Sequence, residues 1–281
     1  MNAAVAALTR TAASARLRTG LALWRLGLQD ALQYRVEGII WFLFDVLPPL
    51  MMVFLWLAAF EGTPEVAGYS LAAMLSYTLG VMVLRNLVTP HMEWAIDYDV
   101  RQGNLSSYLL KPFDTWGYWF FTELAWRAWR TVLVTPVLLA CILFLAPWLE
   151  GPRLGRLEVV GLFASLALAY LVCFLFKLNL GFTCFWLTDV TGVSALYDVV
   201  VWVFGGVLLP IELLPEGLQT LARMLPFQYI YAFPLSIYLG RVSGEGIVAG
   251  LAMQLGWAAL LWLLAQVVWK QGLRRYEAVG G

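Results

Sequence analysis

The chain has 281 residues, of which 62% are hydrophobic and only 13% charged. Soluble domains are about 25% charged, so the deficit points to a lipid environment. A formal net charge of +0 argues against a nucleic-acid partner.

From the N-terminus, Arg10, Arg16, Arg18 and Arg25 interrupt any apolar core that a signal peptide would need. Leu17, Leu21, Trp24 and Leu28 repeat at helical spacing between about Ser14 and Val36, with Arg18, Arg25 and Gln29 on other faces. A basic amphipathic helix of this kind lies flat in the inner membrane interface. It either anchors the chain or helps to cradle a cytoplasmic partner.

A helix needs about 20 mostly apolar residues to cross the hydrocarbon core. Six segments meet or approach that length: Ile39–Phe60, Tyr69–Val88, Thr131–Leu149, Val159–Leu187, Val193–Leu209 and Ile247–Trp269. In the first, Pro48-Pro49 should break or kink the helix, because proline lacks a backbone donor. The stretch Trp116–Arg130 is helical in pattern and crowded with aromatics, so it reads as an interfacial lead-in to the third span. Gly246 and Gly250 form one G-x-x-x-G at the start of the last span, a signal for close helix packing.

Between the second and third spans, Pro90–Thr115 reads PHMEWAIDYDVRQGNLSSYLLKPFDT. Met92, Ile96 and Val100 repeat every four residues, and Glu93, Asp97 and Arg101 repeat one step round. Asp97 stands four before Arg101, a favourable helical pair. Gly103-Asn104 supplies a helix stop, and Lys111-Pro112 closes the segment. Such a helix either lies solvated at the interface or docks into a groove of another protein.

Charges inside a membrane are costly. Asp45 in the first span and Asp198 in the fifth could each face a polar path, pair with Lys177 of the fourth span or another base, or sit near the inner headgroups. Between the fifth and sixth spans, Pro210, Pro215, Pro226 and Pro234 break up a segment too apolar for a free loop. Within it, Glu216–Leu225 spaces Leu218, Leu221 and Leu225 as a short amphipathic helix. With both termini inside, 14 of the 18 Lys and Arg fall on inner segments, which leaves Arg153, Arg156, Arg223 and Arg241 outside. The Pro-rich segment is then extracellular and the Pro90–Thr115 connection cytoplasmic.

Chemical motifs are scarce. No G-x-x-x-x-G-K-[ST] loop occurs, so the chain does not carry its own P-loop ATPase site. No G-x-S-x-G occurs, and His91 is the single histidine. Cys141, Cys173 and Cys184 lie in apolar stretches and read as small hydrophobes, not as metal ligands or disulfides. No internal repeat supports an inverted-repeat carrier.

The order of these elements resembles the ABC-2 type export permeases. Two stretches carry the resemblance. One is P-x-E-x-L-P-x-x-L-Q at Pro210–Gln219 with L-P-x-x-Y at Leu225–Tyr229. The other is RQGNLSSYLLKP at Arg101–Pro112, which is similar to the branch called DUF990. The resemblance implies an all-α membrane protein of six transmembrane helices. It divides the chain into a cytoplasmic N-terminal helix (1–38), a transmembrane domain (39–269) and a cytoplasmic tail (270–281). The coupling loop is about 90–115 and the extracellular helical segment about 210–245.

It also implies a permease subunit in a bacterial inner membrane, working as a dimer of like or related chains. Two copies of a separate cytoplasmic ATPase would bind ATP and Mg, so the chain itself would need no cofactor. The coupling helix would be Met92, Glu93, Ile96, Asp97, Val100, Arg101 and Gly103. The path, lined by the first, second and fifth spans, would include Asp45, Asp198 and Trp202. The extracellular gate would include Pro210, Glu212, Pro215, Pro226 and Tyr229. Two other classes stay open: an ion-coupled carrier, or an intramembrane lipid-modifying enzyme using Asp45 or Asp198.

Overall fold

The computed structural model describes residues 2–149, 151 and 154–276, with side chains from Arg18 onward except 35–37, 41, 42, 44 and 45. Leu17, Asp45, Arg153 and the end of the tail therefore lie outside the described residues for the roles expected above. The described residues are mostly helical. Four helical stretches among the described residues are long and apolar enough to cross a membrane, and Val46–Ala59 and Thr191–Phe204 are shorter apolar helices.

Helix α1 (Asn2–Gln33) ends at Tyr34, and α2 (Arg35–Ala59) follows. The face α1 turns to the protein is its small one. Gly20 lies against Phe121 and Gly27 against the Thr122 backbone, while Gly20, Gly27 and Ala31 are buried. Leu21, expected on the apolar face, is exposed. In lipid, apolar side chains gain little by burial against protein, and small residues gain by letting backbones approach. α2 continues through Pro48 and Pro49 without the expected break.

A hairpin, β1 (Glu65–Val66) and β2 (Tyr69–Ser70), precedes α3 (Leu71–Val88). Ala67 (φ 50) and Gly68 (φ 74) both have positive φ, which a two-residue type I′ turn requires. Tyr69 and Ser70 therefore belong to the strand and not to the second span. The Ser70 side chain caps α3 by accepting from Ala73 N at 3.1 Å.

Two short helices follow, α4 (Met92–Arg101) and α5 (Asn104–Leu109), and then α6 (Thr115–Leu145). The separate lead-in expected at Trp116–Arg130 is not there: α6 is one helix of 31 residues, capped by Asp114, with Pro136 inside it. Its aromatics also face inward. Trp116 and Trp119 are buried and pack with Phe182 and Trp269 at centroid distances from 5.6 to 6.1 Å. Indole rings offer large apolar faces to other rings, so this cluster closes one end of the bundle instead of forming a lipid-facing belt.

Helix α7 (Arg156–Phe182) ends in a 3₁₀ turn at Thr183–Phe185, and α8 (Thr191–Phe204) stops ahead of Gly205-Gly206. The Pro-rich segment folds as 3₁₀ turns around α9 (Glu216–Met224), followed by α10 (Ala232–Tyr238). Leu218 and Leu221 of α9 are exposed, and Ala222 is its buried residue. The last helix, α11 (Glu245–Arg275), pairs with α7. Gly250 receives Phe233 of α10, and Gly161 of α7 receives Ile247. The G-x-x-x-G thus serves contacts inside this chain.

Candidate coupling site

Helix α4 is seated in the protein rather than laid on it. Its apolar edge, Met92, Ile96 and Val100, is buried, and so are Glu93 and Asp97 on the charged edge. Gly181 of α7 makes the seat possible. A Cβ there would come within 2.8 Å of Ile96 Cδ1 and 3.2 Å of Glu93 Cα.

The charged edge is satisfied from outside the helix. Lys177 Nζ of α7 donates to Glu93 Oε1 at 2.6 Å and to Asp198 Oδ1 of α8 at 3.1 Å. Lys177 and Glu93 are fully buried, whereas the Asp198 side chain is 42% exposed. The ammonium also stands 4.8 Å from the Tyr197 ring centroid. One cation therefore binds three helices: α4, α7 and α8. The Asp198–Lys177 pairing was among the expectations; the Glu93 arm was not. A lysine in an apolar span needs at least one carboxylate partner, and Glu93 was the signal, obscured by its 84-residue separation.

The C-terminal end of α4 has its own ties. Arg101 pairs with Asp97 and donates to Thr188 O at 2.9 Å. Gly103, at φ 76, takes the left-handed turn between α4 and α5, as its place in the sequence suggests. Buried Asp99 accepts from Trp119 Nε1 (3.1 Å), Tyr108 Oη (3.2 Å) and Asn104 Nδ2 (3.3 Å), joining α4, α5 and α6. The Asp189 carboxyl, exposed ahead of α8, is held below the usual carboxylate range by bonds from the Thr191 hydroxyl and backbone N–H.

Of the seven residues expected to couple, Arg101 alone is exposed. The open surface here consists of other residues: Tyr98 is 60% and Leu110 88% exposed, with Ala95, Gln102 and Leu109 beside them. Sequence periodicity missed this face because it separates the faces of a helix without saying which one meets the protein.

A second connection is buried between α3 and α6. Arg127 donates to Asn86 O at 2.7 Å and to Glu123 Oε1 at 3.0 Å. Glu123 also accepts from His91 N at 3.2 Å, at the start of α4. Arg127 counted only as an inner charge in the sequence; it is structural.

The expected path residues Asp198 and Trp202 share α8, and Arg85 of α3 stacks over the Trp202 ring at 5.3 Å. A small cavity of about 40 Å³ lies there, lined by Pro48, Trp56, Tyr77, Arg85, Trp202 and Pro210 among others. Tyr77 Oη crosses to Gly206 O at 2.5 Å.

The expected gate residues are spread over the Pro-rich segment. Pro210 and Pro226 are buried, and Pro215 leads into α9. Glu212 accepts from Tyr69 Oη at 3.1 Å, and Arg241 lies 3.4 Å over the same ring. The Tyr229 carbonyl accepts from buried Gln254 at 2.8 Å. Burial, followed by the Glu212 charge, raises the Tyr69 hydroxyl pKa well above its usual value. Among the described residues, no group of His, Cys, Asp and Glu could hold a metal ion.

A family model described as ABC-2 family transporter protein matches residues 46–280, a range that takes in α3 to α11 and most of α2. The chain belongs to the ABC-2 transporter family. It is a multi-pass membrane protein and a permease of an ABC transporter, a kind that partners with an ABC ATPase. Compared with curated proteins, the sequence matches none. In this permease, α4 leaves Ala95 and Tyr98 exposed on one side and buries Glu93 against Lys177 of α7 on the other.

Proposed function

We propose that the chain is the membrane half of an ATP-driven exporter, coupled through α4 to a separate ATPase that binds ATP and Mg. The buried Glu93–Lys177–Asp198 bridge carries this reading, because it ties α4 directly to α8, the helix of Asp198 and Trp202. The six spans are α2, α3, α6, α7, α8 and α11. With 14 residues, α8 reaches only about 21 Å, short of the roughly 30 Å core. The turns that follow it from Gly205 to Leu213 complete the crossing and form the outer gate.

The termini and α4 are cytoplasmic in a bacterial inner membrane, in line with the distribution of Lys and Arg. Two such chains, identical or related, enclose a path that includes Asp45, Asp198 and Trp202. The run Arg101–Pro112 supports the DUF990-like branch. Met92, Glu93, Ile96, Asp97 and Val100 act as the root of the coupling helix. Tyr98, Gln102 and Leu110 meet the ATPase. A carrier or enzyme reading would use Asp198 as a cycling acid, and Lys177 already engages it.

The test is to tag the chain, extract it from its native membrane in mild detergent and identify what co-purifies. A stoichiometric soluble protein with a phosphate-binding loop supports the proposal. A single species that transports without one overturns it.

A further inference from the structure

A cavity of about 480 Å³ opens between α1, α4 and α6, a size suited to a small ligand or headgroup. Its wall is ordered along α6. Trp119 comes first, Trp126 follows two turns on, and Arg130 stands one turn further, about 6 Å along the axis. Each indole holds a carboxylate: Asp99 accepts from Trp119 Nε1 and Asp30 from Trp126 Nε1, both at 3.1 Å. The donors to these two acids are neutral among the described residues. Glu123, by contrast, is already matched by Arg127 at 3.0 Å. The wall thus combines ring faces and two carboxylates bonded by neutral donors with a guanidinium beyond them.

Aromatic faces beside carboxylates attract organic ammonium groups, and guanidinium groups recognise phosphate. With α4 on the cytoplasmic side, α6 runs outward, so Arg130 lies nearer the hydrocarbon and Asp30 and Asp99 nearer the cytoplasm. An inner-leaflet phospholipid presents acyl chains, then phosphate, then its ammonium in that same order. We propose that this cavity binds a zwitterionic phospholipid headgroup, with phosphate at Arg130 and ammonium between Asp30 and Trp126. Met92 and Ala95 of α4 form part of the wall, so the bound headgroup braces the coupling helix. The orientation rests on the function proposed above. A glycerol headgroup brings negative charge and no ammonium, and Asp30 and Asp99 disfavour it.

The test is native mass spectrometry of the full chain, with whatever partners accompany it, in equal amounts of phosphatidylethanolamine and phosphatidylglycerol. One retained phosphatidylethanolamine per chain, preferred by about tenfold or more, is expected. Asp30→Asn and Arg130→Gln should each reduce that retention by about tenfold. Equal retention of the two lipids, or unchanged retention in both variants, overturns the proposal. If those variants fail to fold, Trp126→Leu against Trp126→Phe decides: the proposal requires that only Leu lose the lipid, and equal retention refutes it.

Soluble glycerophosphoethanolamine separates the two sources of this chemistry. Displacement of the lipid at equal concentration makes the occupant a soluble metabolite and overturns the membrane source; no displacement supports the lipid. The two proposals also fail separately. Lipid selectivity without a co-purifying ATPase sinks the transport reading alone, whereas an ATPase without selectivity sinks the lipid site alone.

Discussion

Replacing Lys177 with Met removes the one cation shared by Glu93 and Asp198. The Lys177–Glu93 contact is 2.6 Å with both side chains fully buried, so the variant strands a carboxylate where water does not reach it. Breaking a buried pair by removing one partner costs about 3–5 kcal/mol. The Asp198 arm is 42% exposed, and exposed pairs contribute about 1 kcal/mol or less. Asp198→Asn should therefore cost about 1 kcal/mol at most. Glu93→Gln leaves Lys177 with its Asp198 partner and should fall between, at about 1–3 kcal/mol. The double change Glu93→Leu with Lys177→Met should recover most of the loss, since an apolar pair of similar size removes both charges together. Unfolding in mixed micelles of increasing denaturing detergent, followed by tryptophan fluorescence, measures each value. A Lys177→Met cost under about 0.5 kcal/mol, or a double variant as unstable as the single, would refute the assignment of Glu93 as the main partner. If the bridge also transmits motion, the recovered double variant should still lose ATP-dependent transport.

Gly181→Ala should cost about 1–3 kcal/mol by forcing α4 off α7, and Ile96→Val should relieve part of it; full stability of Gly181→Ala in the same unfolding assay would contradict the close seat. Tyr77→Phe leaves the Gly206 carbonyl without its 2.5 Å donor and should destabilise by about 1–3 kcal/mol, read as a shift in the same transition. Leu110→Asp and Tyr98→Ala should reduce ATPase co-purification severalfold while changing stability by only about 0.5 kcal/mol; undiminished co-purification moves the docking surface elsewhere.

The sequence made some of these elements readable and hid others for definite reasons. The four-residue repeat of Met92, Ile96 and Val100 and the stop at Gly103 are local signals, and α4 and its turn are where they indicate. The burial of Glu93 is not local, because its partner is a lysine on α7. Trp116 and Trp119 have the composition of an interfacial belt, and only the arrival of Phe182 and Trp269 turns them into a core. The continuity of α6 through Pro136 likewise contradicts a length argument that treats helix and bilayer thickness as equal. On α1, the Leu and Trp stripe is the obvious face by hydropathy, yet Gly20, Gly27 and Ala31 make the contact. Hydropathy marks what avoids water, and in a membrane lipid satisfies that as well as protein does.

The unbroken run of α6 turns local fastening into reach. Its 31 residues form a rod about 46 Å long. The rod is grasped near its start, where Trp119 is bonded to Asp99 of α4, and it lacks one backbone bond at Pro136. Between those points lie about 26 Å of helix. Trp126, Arg127 and Thr131 extend the grip to Asp30 and Asn86, so the side-chain fastening of α6 ends short of Pro136 and the arm beyond the proline is the part a helix joint there would free.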